Sequence, residues 1–328
     1  MRELTVGKND AGQRADKFLL KTLVNMPKSL LYKSIRLKKI KRNGARLSPE
    51  AVLCEGDVLR LFISDEFFKE ETGAVRLDRV HPRIDVLYED ANVLLINKKP
   101  GVSVHEDETQ SGDNLLVQMQ AYLYRKGEYD PSREHSFAPA LCNRIDRNTG
   151  GIVIAAKNAE ALRLMNEKIR LRELDKYYLC AVHGVPTPSA ATLCAYLAKD
   201  EKSKLVTVLD RLPPSKEKAS AFKHIKTRYK TLAVKGDLAL LEVELLTGRT
   251  HQIRAHMAHI GHPLLGDGKY GCIKGDRALG YKHQALYAYR LVFSFKKDEV
   301  PHALSYLDGR AFEIPYGDIY FTSLFDGE

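Results

Sequence analysis

The chain has 328 residues, enough to bury a substantial core and to hold two domains. Its 44% hydrophobic and 29% charged content is that of a water-soluble globular protein, and no apolar run approaches the roughly 20 residues that span a bilayer. A net charge of +10 calls for an anionic partner, of which nucleic acid is the commonest for such a protein.

The N-terminus, from Met1 to Lys8, lacks the hydrophobic centre of a signal peptide, so a cytoplasmic location is expected. Residues 13–63 form a small unit. Phe18, Leu19, Leu20, Leu23 and Val24 give a helical apolar stripe ended by Asn25-Met26-Pro27. A second helix, with Ser29 as its expected cap, alternates Leu30, Leu31, Ile35 and Leu37 with Tyr32, Lys33, Arg36, Lys38 and Lys39. Asn43-Gly44 after Ile40-Lys41-Arg42 predicts a tight hairpin, and Val58 to Ile63 a closing strand. Eight Lys or Arg fall between Lys28 and Arg46 with no acid among them, a cluster too one-sided for a merely solubilising face. Residues 66–82, mixed in charge and containing Thr72-Gly73, are expected to be a linker.

From Arg83 onward short β-branched runs recur, at residues 84–88, 93–96, 152–156, 177–182 and 238–246, with helical stretches such as 159–174 between them. The mixture predicts an α+β domain over residues 83–328 with a mixed, largely antiparallel sheet. Residues 199–218, charged and containing Pro213-Pro214, are expected to form an exposed loop or ribbon. Cys54, Cys142, Cys180, Cys194 and Cys272 include no Cys-x-x-Cys pair. They imply neither a disulfide framework nor a zinc site and, for the most part, small core residues.

The segment Asn143-Arg144-Ile145-Asp146-Arg147-Asn148-Thr149-Gly150-Gly151 concentrates the chemistry. One carboxylate stands between two guanidiniums, whose charge favours its ionised form. The two glycines allow a tight turn before the buried strand Ile152 to Ala156, so Asp146 is expected on a loop held by a rigid sheet. The alternative is an Asp–Arg ion pair that merely caps a strand.

This segment resembles the signature His-Arg-Leu-Asp-x-x-Thr-Ser-Gly of the RluA-type pseudouridine synthases, with Asn143 in place of His and Gly150 in place of Ser. Three more segments are similar to that family. Asn97-Lys98-Lys99-Pro100-Gly101 resembles its first motif with the proline displaced by one position. Lys176-Tyr177-Tyr178 resembles its Lys-x-Tyr strand. Leu246-Thr247-Gly248-Arg249-Thr250-His251-Gln252-Ile253-Arg254 resembles its third motif and is followed by Gly261-His262-Pro263-Leu264-Leu265-Gly266-Asp267. The resemblance implies an RNA pseudouridine synthase in which Asp146 is the catalytic carboxylate and Tyr178 the active-site tyrosine. A buried carboxylate also needs an arginine, preferably in a two-toothed contact. Arg254 is the choice and Arg249 the runner-up, because spacing does not rank them. Arg144, Arg249 and His251 are expected to hold the substrate nucleotide.

Residues 1–65 resemble the RNA-binding module named after the fourth small-subunit ribosomal protein, through Arg14 to Leu19, the basic second helix, Arg42-Asn43-Gly44 and Glu55 to Leu59. The resemblance implies RNA contact through Lys28, Lys33, Arg36, Lys38, Lys39, Lys41 and Arg42. No cofactor is expected, since isomerisation has no net redox change. The expected partner is RNA, first large-subunit ribosomal RNA and otherwise transfer RNA, bound by a monomer with no membrane association.

Two signals are set aside. His251, His256, His259 and His262 lie close together, but no nearby carboxylate or cysteine completes a ligand pattern, so structural histidines are expected and no metal. Gly266-Asp267-Gly268-Lys269-Tyr270-Gly271 spells a dinucleotide fingerprint without the buried strand before it or the helix after it. The rival functions are a non-catalytic RNA-binding or ribosome-assembly factor on the same fold and a metal-dependent RNA hydrolase built on those histidines.

Overall fold

The computed structural model describes residues 1–68, 76–105, 114–200, 203, 205–271, 273–296 and 300–326. Thr72, Gly73 and Cys272 lie outside them.

The N-terminal unit is a four-stranded antiparallel sheet in the order β1 (Arg2–Thr5), β4 (Val58–Leu61), β2 (Ile40–Arg42), β3 (Ala45–Arg46). Two helices, α1 (Ala15–Thr22) and α2 (Lys28–Arg36), cover it. Phe18, Leu19, Leu31, Ile35, Ile40, Leu47, Leu59 and Leu61 form its core. The hairpin turn is the expected one: Asn43 and Gly44 both take positive φ, 49° and 78°, which suits the twist of the flanking strands. Helix α2 begins after Pro27 rather than Ser29, with no side-chain cap. Proline fixes φ there and lacks only a donor that the helix start leaves unpaired anyway.

The span expected to be a linker is pinned at both ends. Phe68 is buried in the N-terminal core, while Leu77 is buried in the core of the larger unit, where the Arg125 guanidinium donates to the Val80 carbonyl.

The larger unit is a mixed sheet of eleven strands: β5 (Val86–Glu89), β6 (Val93–Lys98), β7 (Ala140–Leu141), β8 (Gly150–Ala156), β9 (Leu174–His183), β10 (Ala190–Lys199), β11 (Val206–Leu209), β12 (Lys223–Lys235), β13 (Leu238–Leu245), β14 (Leu286–Phe293) and β15 (Ala311–Glu313). The main order is β11-β10-β12-β13-β9-β14-β8-β6-β5, and β14–β8 is its parallel pairing. Helices α3 (Leu115–Arg125), α4 (Ala159–Leu171), α5 (Lys216–Ser220), α6 (Gln252–His259) and α7 (Ile273–Ala278) complete the order. Asn114 and Asn158 cap α3 and α4, each accepting a first-turn N–H. Apolar cores lie on both faces of the sheet, so the central strands β6 and β8 are buried along their whole length.

The sequence-predicted α+β class with a mixed, largely antiparallel sheet is the observed one. Residues 199–218, expected as an exposed loop or ribbon, are in part a ribbon: β11 pairs with β10, and Val206 and Val208 turn inward. Gly150 and Gly151 do not make the turn before β8; they are its first residues, and the turn lies at residues 146–149, closed by Thr149 N–H to the Asp146 carbonyl at 3.0 Å. A Cβ on Gly151 would stand 2.2 Å from the Ala288 carbonyl oxygen, so glycine is required by the close approach of β14. Among the described cysteines, only Cys180 is fully buried; Cys142 is half-buried, and Cys54 and Cys194 are exposed, so most are not the core residues expected.

Candidate active site

A cleft of about 600 Å³ opens where three parts of the sheet meet: the loop before β8, the strand β9, and the turn that joins β13 to α6. It is lined by Asp146, Arg144, Tyr178, Lys176, Arg249, His251 and Arg254, among others. Asp146 is the one carboxylate among the described residues that line it.

The loop carrying Asp146 is fixed from below. Asn143 accepts the Ile154 N–H at 2.7 Å and so straps the loop to β8. Lys98, 1% exposed at the end of β6, donates to the carbonyls of Lys99, Val102 and Arg147 at 3.2, 2.9 and 2.9 Å. One amine thereby ties the residue after Asp146 to the loop that follows β6. Burial lowers the Lys98 pKa to about 7, with the charge of Asp146 acting in the opposite direction.

The opposite wall is wound around Gln252. Its side-chain oxygen accepts from Thr247 Oγ1 at 2.9 Å and from the Arg249 N–H at 3.1 Å, and its nitrogen donates to Thr227 Oγ1 at 3.0 Å. That knot bends the chain sharply enough for His251 to take a φ of 53° just before α6. Helix α6 then presents Arg254, 5% exposed, to the cleft.

Of the two candidate arginines, the structure brings Arg254 to Asp146: Nη1 donates to Oδ2 at 2.9 Å. Arg249 stays exposed on the rim. The two-toothed contact expected for Asp146 goes elsewhere. Arg254 Nε and Nη2 donate to both oxygens of Asp267, fully buried, at 2.7 and 2.8 Å. Asp267 takes the fork because it lies level with it and dry; Asp146, 26% exposed, keeps an open side toward the cleft. Burial opposes the charge of Arg254, but Asp267 and Asp146 outweigh it and raise its pKa. For Asp267 burial acts upward, and Arg254 wins and lowers the pKa.

Tyr178 stands on β9 between Val243 of β13 and Ala288 of β14 and is 7% exposed. Burial, then the charge of Asp146, raises its pKa, so the phenol is neutral at physiological pH. His251 Nε2 is 3.8 Å from Asp146 Oδ2, too far for a hydrogen bond, while its Nδ1 lies 2.8 Å from Tyr270 Oη. Burial lowers the His251 pKa against the pull of Asp146. Arg144 is exposed at the mouth.

The four clustered histidines have separate partners. His256 meets Thr227 Oγ1 at 3.0 Å, His259 meets Asp210 at 2.9 Å, and His262 meets the His183 carbonyl at 3.0 Å, while His251 meets Tyr270. The segment that spells a dinucleotide fingerprint instead supplies Asp267 and Tyr270, whose ring lies 5.3 Å from the Arg254 guanidinium.

On the N-terminal unit, Lys28, Lys33, Arg36, Lys38 and Lys39 are exposed on and after α2. Lys41 lies 5.9 Å from the Phe62 ring. Arg42 differs, because its guanidinium is committed to Asp57 at 2.7 Å and to the Val52 carbonyl at 3.1 Å.

Residues 92–259 match the family described as RNA pseudouridylate synthase. A protein named as an uncharacterized RNA pseudouridine synthase from Mycoplasma genitalium is 33% identical over 291 residues, covering 88% of each chain. The chain belongs to the RNA pseudouridylate synthase family. It is therefore an isomerase acting on RNA. The ribosomal large subunit pseudouridine synthase C of Yersinia pestis is 33% identical over 281 residues, covering 84% of this chain and 81% of that one. In fold, the chain is similar to the human RNA pseudouridylate synthase domain containing 1, with a TM-score of 0.51 at 20% identity over 75% of this chain and 97% of that one.

Three residues that hold the site were not singled out for it from sequence: Lys98, Gln252 and Asp267. All three fall inside segments similar to family motifs, but spacing gives no sign of which neighbour each would hold.

Proposed function

We propose that this synthase isomerises uridine in large-subunit ribosomal RNA, with Asp146 as its catalytic carboxylate. The observation that carries the reading is a single carboxylate lining a cationic cleft, held on one side by a buried arginine and open on the other. The substrate class is supported by relatives named for the ribosomal large subunit.

A stacked uridine cannot enter such a cleft, so the target base is flipped out of the RNA. The N1–C1′ bond breaks, the uracil turns, and C5 bonds to C1′; a proton leaves C5 and one is taken up at N1. Asp146 acts as the nucleophile or as the anion facing positive charge on the sugar. Arg254 holds that carboxylate in place through its Nη1. Tyr178, a neutral phenol, packs beside the freed uracil and offers its hydroxyl as a donor. Arg144 and Arg249 at the mouth hold phosphates, and His251 bounds the nucleotide beside Asp146. No redox or hydrolytic step is involved, so the reaction calls for no cofactor.

The N-terminal module, residues 1–65, is assigned to RNA binding in the manner of the ribosomal-protein module it resembles, through Lys28, Lys33, Arg36, Lys38 and Lys39. Arg42, tied to Asp57, serves the fold instead. The test is tritium release from carbon-5-labelled uridine in ribosomal RNA, with pseudouridine mapped in RNA from cells with and without the gene. Asp146→Asn is expected to abolish release while RNA affinity stays near that of the unmodified protein. Substantial turnover by that variant would overturn the assignment.

A further inference from the structure

The arginines of the N-terminal module sort into two sets. Arg2, Arg14, Arg42 and Arg60 are paired with Asp65, Asp16, Asp57 and Glu3. Arg36 and Arg46 have no ion pair or hydrogen bond among the described residues, and both line a cleft of about 390 Å³ between α2 and the segment after β3. Its other walls are Tyr32, Ile35, Leu47, Ser48 and Pro49. Ile35 and Leu47, each 2% exposed, make an apolar floor. No acid lines it.

We infer that this cleft holds one unpaired nucleotide of the RNA, its base against Tyr32 and its flanking phosphates at Arg36 and Arg46. The inference rests on the reading that the module contacts RNA and goes further, because it names a base-holding site. Three observations carry it. The volume falls within the roughly 300–1,000 Å³ of sites for small organic ligands. Tyr32 is not a free rotor: its hydroxyl donates to Asp16 Oδ2 at 2.9 Å, and Asp16 is itself held by Arg14 and by the Lys17 N–H. A tethered ring stacks a base at little entropic cost. Two unpaired guanidiniums beside an aromatic wall and above an apolar floor match a nucleotide's parts, because phosphate oxygens accept from the forks while the base covers apolar surface. A duplex would use the lysines but leave the cleft empty, since its bases are stacked and paired.

The test titrates the full chain with a labelled single-stranded oligouridylate and with an RNA duplex, at several salt concentrations. Tyr32→Leu is expected to weaken single-strand binding about 5- to 150-fold, the range of one lost base–aromatic stack. Tyr32→Phe, which keeps the ring but loses its tether to Asp16, should weaken it less than Tyr32→Leu does, and duplex binding should be untouched by either. Arg36→Gln with Arg46→Gln should flatten the single-strand salt slope by about 0.7 for each lost phosphate contact. Lys33→Gln with Lys38→Gln and Lys39→Gln reports on the module as a whole. If the cleft variants bind the single strand normally while the lysine variant weakens both RNAs, the cleft inference fails and the module reading stands. If Tyr32→Leu weakens duplex and single strand equally, the cleft does not select an unpaired base, and the inference is overturned. If none of the variants weakens either RNA, the module reading itself fails.

Discussion

Arg254 divides one guanidinium between two carboxylates, and the division sets what each can do. Asp267 takes Nε and Nη2 in the dry interior, leaving Nη1 for Asp146. The position of Arg254 therefore depends on a residue that does not line the cleft. Removing one partner of a buried pair typically costs about 3–5 kcal/mol, so Asp267→Asn is expected to lower the unfolding free energy by an amount of that order and to reduce kcat through a displaced Arg254. Denaturant unfolding and single-turnover kinetics check both effects; normal stability with normal kcat would show that Asp146 alone orients the arginine. Arg254→Lys should restore part of the rate lost in Arg254→Ala, because an ammonium cannot serve both acids with a planar fork. Lys98 gives a pH-dependent counterpart. Its folded pKa is about 7 against an ordinary 10.5, so between those values the unfolded chain binds the extra proton. The group's contribution to stability is complete above the upper value and is lost as pH falls through the lower one. The stability difference between the native chain and Lys98→Met should therefore change with pH between about 7 and 10.5, and a flat difference would show that the amine titrates as in water. At this scale the sequence singled out Asp146, Tyr178 and Arg254, which the fold brings to one cleft. It did not show Asp267, Gln252 or Lys98 in their holding roles, because each acts on a neighbour that only the fold brings close.

Strands with both faces buried were legible as runs of β-branched residues, as at Val93 to Ile96 and Ile152 to Ala156. Strand β12 was not, because only alternate residues such as Ile225, Thr227 and Tyr229 turn inward while Lys and Arg fill the other face. The glycine pair at the start of β8 was read correctly as special and wrongly as a turn. The cause is tertiary: β14 packs so close that side chains have no room. A Cβ at Gly150 would fall 2.2 Å from the Tyr287 ring, whose hydroxyl donates to the buried Asn97. The serine that the family signature places there is excluded by this ring, so Gly150 and Tyr287 form a matched pair. Gly150→Ala is expected to destabilise the chain by about 1–3 kcal/mol, the usual range for overpacking. Combining it with Tyr287→Leu should cost less than the two single changes added together, as for residues in contact. Strict additivity in denaturant unfolding would show that β8 and β14 separate freely at this point.

Each unit has a core of its own. What joins them was not legible, since the joining groups are polar and scattered over the chain. Asp10, fully buried, accepts from the backbone N–H of Ser136 at 2.9 Å and from its hydroxyl, and from the His135 N–H at 3.3 Å. Asn9 donates to Glu134 at 2.8 Å and accepts the Ala159 N–H at the start of α4 at 3.2 Å. Gln13 donates to Ser136 Oγ at 2.7 Å, and the Phe18 and His135 rings meet edge to face. The module is thus latched to the segment leading into the Asp146 loop, in addition to the covalent connection. On the proposed reading, an RNA held on the module is presented to the cleft at a fixed distance, which favours long structured substrates over short ones. Asp10→Ala leaves the Ser136 N–H without its acceptor, a loss of about 1–3 kcal/mol. Amide exchange at residues 134–136 and in α1 should then accelerate while β8 and β9 stay protected. Turnover of a long structured RNA should fall, whereas that of a fragment reaching only the cleft should not. Unchanged exchange at residues 134–136 would show that the remaining contacts hold the latch without Asp10. Equal losses on the long and short RNAs would show that the latch serves the stability of the Asp146 loop rather than the placement of the substrate.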